Sequence, residues 1–327
     1  MALGSQGAAP ANTYMETAAV GVREDLADVI YRIDPEECPL VSACSRVSAN
    51  QVLTEWLVQE LNAASDNAQP EGFTASMQAV VKPVRLNNVC QIMARTVGVS
   101  NTLRSVDMVG GEDEYNRQLV LRGMEIKRDL ELAITSPLVR TITDPRHMSG
   151  LPCYIINGSR GAGAGAMPVG DGSNAGTAGT LRDLTLAMVD AATQQCWQAG
   201  GKPTLGIMSG NVKAYFSTLS QGGTGNAVVA QNIQNVTSAE SVTIMGAVDV
   251  YRTNFGTIQL APDRFCPAHQ ILLVSTDYVE LAPLPGRDIV QQDYAVTGDN
   301  SQGGVVFEGC IRPTAPKSHA WIADLNQ

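Results

Sequence analysis

A long pair of strand-forming runs with no cover constrains this chain more than any other feature. QVLTEWLVQEL, from Gln51 to Leu61, is rich in β-branched and aromatic residues and free of glycine and proline, which reads as a strand. The returning run, MQAVVKPVRLNNVCQIMARTVGV from Met77 to Val99, is again rich in valine. Pro83 within it is compatible only with an edge strand. Between the runs lies NAASDNAQPEGFTAS, too long for a tight hairpin turn. An isolated two-stranded ribbon is at best marginally stable in water. No other segment reads as its cover, so the sequence predicts a ribbon completed by something outside its own fold.

The segments around the ribbon have clearer signals. Residues Met1 to Asn12 are small and polar, which predicts a flexible arm. REDLADVIYRI places Leu26, Val29, Ile30 and Ile33 on one helical face and stops at Asp34-Pro35. After the Gly110-Gly111 break, Glu112, Asp113 and Glu114 put negative charge at a helix start. Leu119, Gly123, Ile126, Leu130 and Ala133 form one apolar stripe, with Lys127 and Glu131 expected on the wet side. Leu119, Ile126 and Leu130 are core residues on any reading. The helix ends at Ser136-Pro137 and would span on the order of 37 Å.

The Gly-rich stretch from Gly158 to Gly179 reads as a mobile loop. A helix in LRDLTLAMVDAATQQCWQAGG, a buried strand in PTLGIM and a short helix in NVKAYFSTL follow. The remainder reads as successive strands in SVTIM, AVDVYRT, GTIQLA, QILLVS, YVELA, GVVFEGCI and SHAWIADL. Helices and strands are segregated rather than alternating, which favours an α+β fold over a parallel βαβ one.

Chemistry is hard to find. The Gly-rich run lacks the GK[ST] ending of a phosphate loop, and no GxSxG elbow or HExxH occurs. His147, His269 and His319 lie in separate segments and read as surface or loop residues. Asp144-Pro145-Arg146-His147 reads as a turn. The seven cysteines have irregular spacing and no CxxC, so they read as reduced thiols in a cytoplasmic product rather than zinc ligands. A net charge of −10 with scattered basic residues argues against sequence-specific nucleic-acid binding. Neither a signal peptide nor an apolar run of spanning length is visible. No catalytic, cofactor-binding or metal residue is assigned.

The order of these segments resembles the major capsid proteins of tailed bacteriophages with the Hong Kong ninety-seven type fold. The resemblance is carried by REDLADVIYRIDPEECPLVSA, by TEWLVQEL with NAQPEGF, by DEYNRQLVLRGMEIKRDLELAI, and by DVYRTNFGTIQLAPDRFCP, YVELAPL, TGDNSQGGVVFEGCIRP and HAWIADL. It implies an N-arm and short helix over 1–35 and an E-loop ribbon with its base over 36–95. A P-domain over 96–150, with a spine helix over 112–136, an A-domain over 151–275 and closing P-domain strands over 276–327 complete the implied plan. It also implies hexamers and pentamers of an icosahedral shell around double-stranded DNA, with the ribbon lying on an adjacent copy.

The partners implied are further copies of the chain, a portal, a separate scaffolding protein, a decoration protein and non-specifically packaged DNA, with no membrane. An acidic inner wall that does not grip phosphate would let that DNA move. On the ribbon, Glu55, Trp56, Glu60, Lys82 and Arg85 are the candidate inter-subunit contacts. Trp56 is equally explained by packing at the ribbon's base, and the charged residues by solvated strand faces. Lys82 is the single lysine of the ribbon, so noncovalent assembly is expected over a lysine–asparagine cross-link. Two rivals are an encapsulin-like shell around protein cargo and a soluble α+β enzyme.

Overall fold

The computed structural model describes residues 34, 37–75, 77, 79–106, 113–220, 237–238, 241–242, 249–296 and 298–326. The expected N-arm, the helix in REDLADVIYRI, the Gly110-Gly111 break and Glu112 lie outside the described residues.

The described chain opens with a one-turn helix, α1 (Pro39–Ala43), and a two-residue strand, β1 (Ser45–Arg46). The ribbon follows as β2 (Leu53–Val58) and β3 (Val84–Val89), and β4 (Gln91–Ser100) carries the chain out of it. Next come α2 (Asn101–Ser105), the spine helix α3 (Glu114–Thr135), β5 (Asn157–Ser159), α4 (Leu186–Gln198), β6 (Leu205–Met208) and α5 (Gly210–Ser220). β7 (Thr237–Ser238) and β8 (Ser241–Val242) form a small pair, followed by β9 (Val250–Thr253), β10 (Gly256–Pro262) and β11 (Ile271–Val274). The chain closes with β12 (Val279–Pro283), β13 (Val290–Asp293), β14 (Asn300–Pro313) and β15 (Ala320–Ile322).

Two sheets organise these elements. In the central sheet β14 is the longest strand. Its first half lies between β13 and β4, with the β4 ladder running from Asn300↔Ser100 to Gly309↔Gln91. Its second half pairs with β12, on which β1 sits in parallel. The outer sheet has the order β5-β15-β11-β6-β10-β9. Its core is built where Val189, Ala192 and Cys196 of α4 and Val212 and Phe216 of α5 meet Ile258, Leu273 and Ile322. Parallel and antiparallel pairs coexist, with helices packed on the sheets, so the fold is α+β.

The last strand parts from those just before it. Residues 276–327 do not all close the central sheet, since β15 lies between β5 and β11 in the outer one. Likewise β4 belongs to the central sheet from Gln91 onward, so the ribbon ends at Cys90.

The spine helix forms for the reasons the sequence gives. Asp113 caps it by accepting from the Tyr115 N–H at 3.0 Å. Leu119, Ile126, Leu130 and Ala133 are buried in the main core. Glu131, however, is not on the wet side. Lys127 is exposed, but one turn later Glu131 is 0% exposed. Its two oxygens accept from the N–H groups of Leu40 and Val41, each at 2.7 Å. The stripe that is wet at Lys127 runs under α1 before the helix ends, and the carboxylate satisfies two donors that the start of α1 leaves open.

Two more expectations are corrected. His319 is completely buried rather than at the surface, with its Nδ1 accepting from the Ser275 N–H at 3.1 Å. The Gly-rich stretch is folded against the C-terminal segment rather than loose. Asp324 accepts from the N–H groups of Gly161 and Gly179 at 3.0 and 2.9 Å, and Arg160 stacks over the Trp321 ring at 4.2 Å. A Cβ on Gly161 would lie 1.9 Å from the Thr180 carbonyl oxygen. Here glycine serves close backbone approach, not flexibility.

Candidate assembly interface

The ribbon is firmly rooted, and beyond the root every described residue from 59 to 85 except the half-buried Val81 is exposed. At the root, β2 and β3 pair from Leu53↔Val89 to Val58↔Val84. The inner face of this ladder carries Trp56 opposite Leu86, which pack with Tyr154 as a cluster separate from the two main cores. The Trp56 and Tyr154 rings are 5.8 Å apart, and the Tyr154 hydroxyl donates to the Asn87 carbonyl at 2.8 Å. Burial pushes the Tyr154 phenol well up, so it stays a donor at any ordinary pH. Beside it Asn88 is wholly buried, with its amide donating to Ile311 and Ser149 carbonyls at 2.7 and 3.2 Å and accepting from the Ser149 N–H at 2.9 Å.

Beyond Val58 the ladder stops. The two arms continue side by side, tied by Gln59 donating to the Val81 carbonyl at 3.0 Å and Asn62 to that of Ala79 at 3.3 Å. A turn closes the tip, with the Phe73 N–H donating to Pro70 at 3.1 Å and Gly72 at φ +79°. Every residue from 59 to 75 is exposed. Four large apolar side chains project here without cover: Leu61 at 95% exposure, Phe73 at 57%, Met77 at 100% and Val80 at 80%. Open grooves of about 650 Å³ and about 380 Å³ flank the root, both lined by Val58, Glu60 and Lys317.

The five residues singled out from the sequence fall in different environments. Trp56 is packed within its own chain at 9% exposure, with its indole N–H buried and without a hydrogen-bond partner. Within the subunit it packs at the ribbon's base. Glu55 and Arg85 pair with each other across the outer face of the ribbon at 3.4 Å. Glu60 pairs with Lys317, bridging ribbon and body. Lys82 is exposed. Sequence reasoning missed Tyr154, Asn88 and Lys317. Asn87-Asn88 did leave a signal, since asparagine is depleted in strands unless a specific contact holds it there.

An anchored root thus carries an apolar tip that is exposed among the described residues. A model of the family described as SU10 major capsid protein matches residues 9–326. The chain belongs to that family. It is a major capsid protein, a structural protein of phage shells, and its fold is the capsid fold that the sequence resembles. The major capsid protein of Escherichia phage Phieco32 is 34% identical over 122 residues, 37% of this chain and 35% of that protein's length. The match thus spans about a third of the curated relative.

Solved capsid structures share the fold over nearly the whole chain. The Cyanophage A-1(L) capsid asymmetric unit superposes with a TM-score of 0.64 at 13% identity, covering 94% of this chain and 98% of that one. The holo-SrpI encapsulin complex from Synechococcus elongatus PCC 7942 gives 0.55 at 12% identity, covering 95% of each chain. At these identities the likeness is one of fold.

Proposed function

We propose that this SU10-family capsid protein builds a closed icosahedral shell of hexamers and pentamers, each copy laying its ribbon on the next. The observation that carries this reading is the uncovered tip. Full burial of a large apolar side chain stabilises by about 1.5–3 kcal/mol, and Leu61, Phe73, Met77 and Val80 all await it. A surface ion pair contributes about 0–1 kcal/mol, so the apolar tip, not Glu55, Lys82 or Arg85, supplies most of the drive. The charged residues set register at the rim.

The open grooves beside the root support a second part of the proposal. They leave the ribbon room to change its angle to the body, as slightly different positions in one shell require. Heterologous contacts around closed rings then generate the shell. Its contents are a double-stranded DNA genome, its place is the virion after assembly in the host cytoplasm, and its further partners are a portal, a scaffolding protein and a decoration protein. The role is structural, with no catalytic step. The likeness to an encapsulin is one of fold alone, and the family match favours a phage head over a protein-cargo compartment.

Removing residues 62–79 and joining the arms by a short Gly-containing turn tests the reading. The unassembled subunit should unfold at nearly the same temperature as before, while negative-stain microscopy of co-expressed head proteins should show no closed shells. Shells of normal size from the shortened chain would overturn it. Phe73→Ser with Met77→Ser is the milder version and should reduce shell yield without loss of soluble protein.

A further inference from the structure

All seven cysteines are free and buried, and one pair among them brings its sulfurs into contact. Cys90 Sγ and Cys310 Sγ lie 3.9 Å apart, with both residues 0% exposed. The register explains their closeness. The β4–β14 ladder ends at Gly309↔Gln91, so Cys90 and Cys310 are the next directly opposed pair. Opposed residues in antiparallel strands have Cα atoms about 4.5–5.5 Å apart, inside the span of about 4.4–6.8 Å that a disulfide bridges. Reaching the S–S length of about 2.05 Å takes roughly 2 Å of approach by two side chains.

We propose that Cys90 and Cys310 are a latent cross-strand disulfide, closed by a small two-electron oxidant such as hydrogen peroxide, that fastens the root of the ribbon to the central strand. Cys90 is the residue between β3 and β4, and its N–H donates to the Val52 carbonyl at 2.8 Å. Thr54 Oγ, on the first ribbon strand, is 3.9 Å from its sulfur. Ribbon residues thus cover the pair, and opening of the root admits the oxidant. The hydrogen-bonding contact between the two thiols holds Cys90 below the usual thiol range, while the same contact and burial push Cys310 up. Cys90 therefore ionises first and is the nucleophile.

The chemistry balances. The Cys90 thiolate attacks one peroxide oxygen and the O–O bond breaks, leaving a sulfenic acid and a hydroxide that takes up the proton Cys90 released. The Cys310 sulfur then attacks the Cys90 sulfur and displaces water, which carries away the Cys310 proton. Two thiols lose two electrons and peroxide becomes two waters. The bond joins residues 220 positions apart, and cross-links that close long loops restrict the unfolded chain most.

This chemistry does not depend on the shell assignment. That assignment adds only its timing, because a subunit made in a reducing cytosol keeps its thiols and a released particle meets oxidising surroundings.

The test uses the whole protein, as unassembled subunit and as shells, held in reductant or exposed to hydrogen peroxide. It is then unfolded in N-ethylmaleimide, digested without reduction and mapped by mass spectrometry. The expected result is one linked peptide pair through Cys90 and Cys310, two hydrogens lighter, with the other thiols alkylated. The unfolding temperature should rise on oxidation of the wild type and stay fixed in Cys310→Ala. Should that variant not fold, the wild-type map decides alone. Full alkylation after peroxide, a different pairing, or Cys90 recovered as sulfinic acid beside an alkylated Cys310 would overturn the proposal.

Discussion

Strand β14 and the ribbon beyond Val58 are both extended chain, and they differ in where their cover comes from. From Gly303 to Ile311 every residue of β14 is buried, flanked by β4, β13 and β12 with α3 packed over it. From Gln59 to Ala75 every residue is exposed, and after the ladder ends two amide side chains bridge the arms. Extended backbone carries no internal hydrogen bonds of its own, so a strand is as stable as its neighbours make it. β14 finds those neighbours within the subunit. Under the proposed function the ribbon finds them in another copy, which makes subunit stability and assembly separable properties of one chain.

Substitutions should break that comparison in opposite directions. The largest effect on folding is expected in the central sheet, where Phe307→Ala should cost about 3–5 kcal/mol and most of the soluble yield. Phe73→Ala at the tip should change subunit stability by less than about 0.5 kcal/mol, as read by urea unfolding, and instead raise the concentration needed for shells to form.

Next in size is Glu131, which joins the chain leading from the N-terminal region to the spine helix. Glu131→Ala strands the Leu40 and Val41 N–H groups and should cost on the order of 2–4 kcal/mol. Burial raises its carboxyl to about 7 from 4.5, opposed by the two backbone hydrogen bonds. The folded state thus holds the extra proton, and this contribution to stability is full below pH 4.5 and lost as pH rises through about 7. Burial lowers His319 to about 4 from 6.5. Its contribution is present above pH 6.5 and lost as pH falls through about 4. The two slopes oppose each other, so the wild type should show a nearly flat stability profile between about pH 4.5 and 6.5. Glu131→Gln should unmask the His319 slope as a steady loss on acidification. An unchanged profile would show that Glu131 titrates normally.

Much of this architecture was legible in the sequence. The ribbon, the spine helix and the strand-rich close all had periodicity or composition behind them, and the capped, striped helix begins and ends within two residues of its expected bounds. Glu131 was misread because helical spacing assigns a face but not what lies above it, and α1 approaches from elsewhere in the chain. That β15 lies between β5 and β11 was not legible, because local pattern identifies a strand without naming its partner. The Gly-rich stretch reads as loose because composition cannot distinguish glycine used for freedom from glycine used for close backbone approach, as at Gly161, where a Cβ would lie 1.9 Å from the Thr180 carbonyl oxygen. At the interface, Trp56 was legible as important and ambiguous as to what it packs on, and Tyr154 carried no local mark.

The smallest effect should come from the ribbon's ion pairs. A double-mutant cycle on Glu60 and Lys317, whose side chains are 54% and 45% exposed, should give a coupling of at most about 1 kcal/mol in the unassembled subunit. A larger coupling would mean that the body, rather than a neighbour, holds the ribbon in place.

Hydrogen exchange of the amides from residue 59 to residue 83, compared between unassembled subunits and purified shells, tests the central claim most directly. The account predicts rapid exchange throughout this stretch in the free subunit and strong protection in the shell, while β14 is protected equally in both. Ribbon amides that exchange equally fast in both states would show that no neighbouring copy covers the tip.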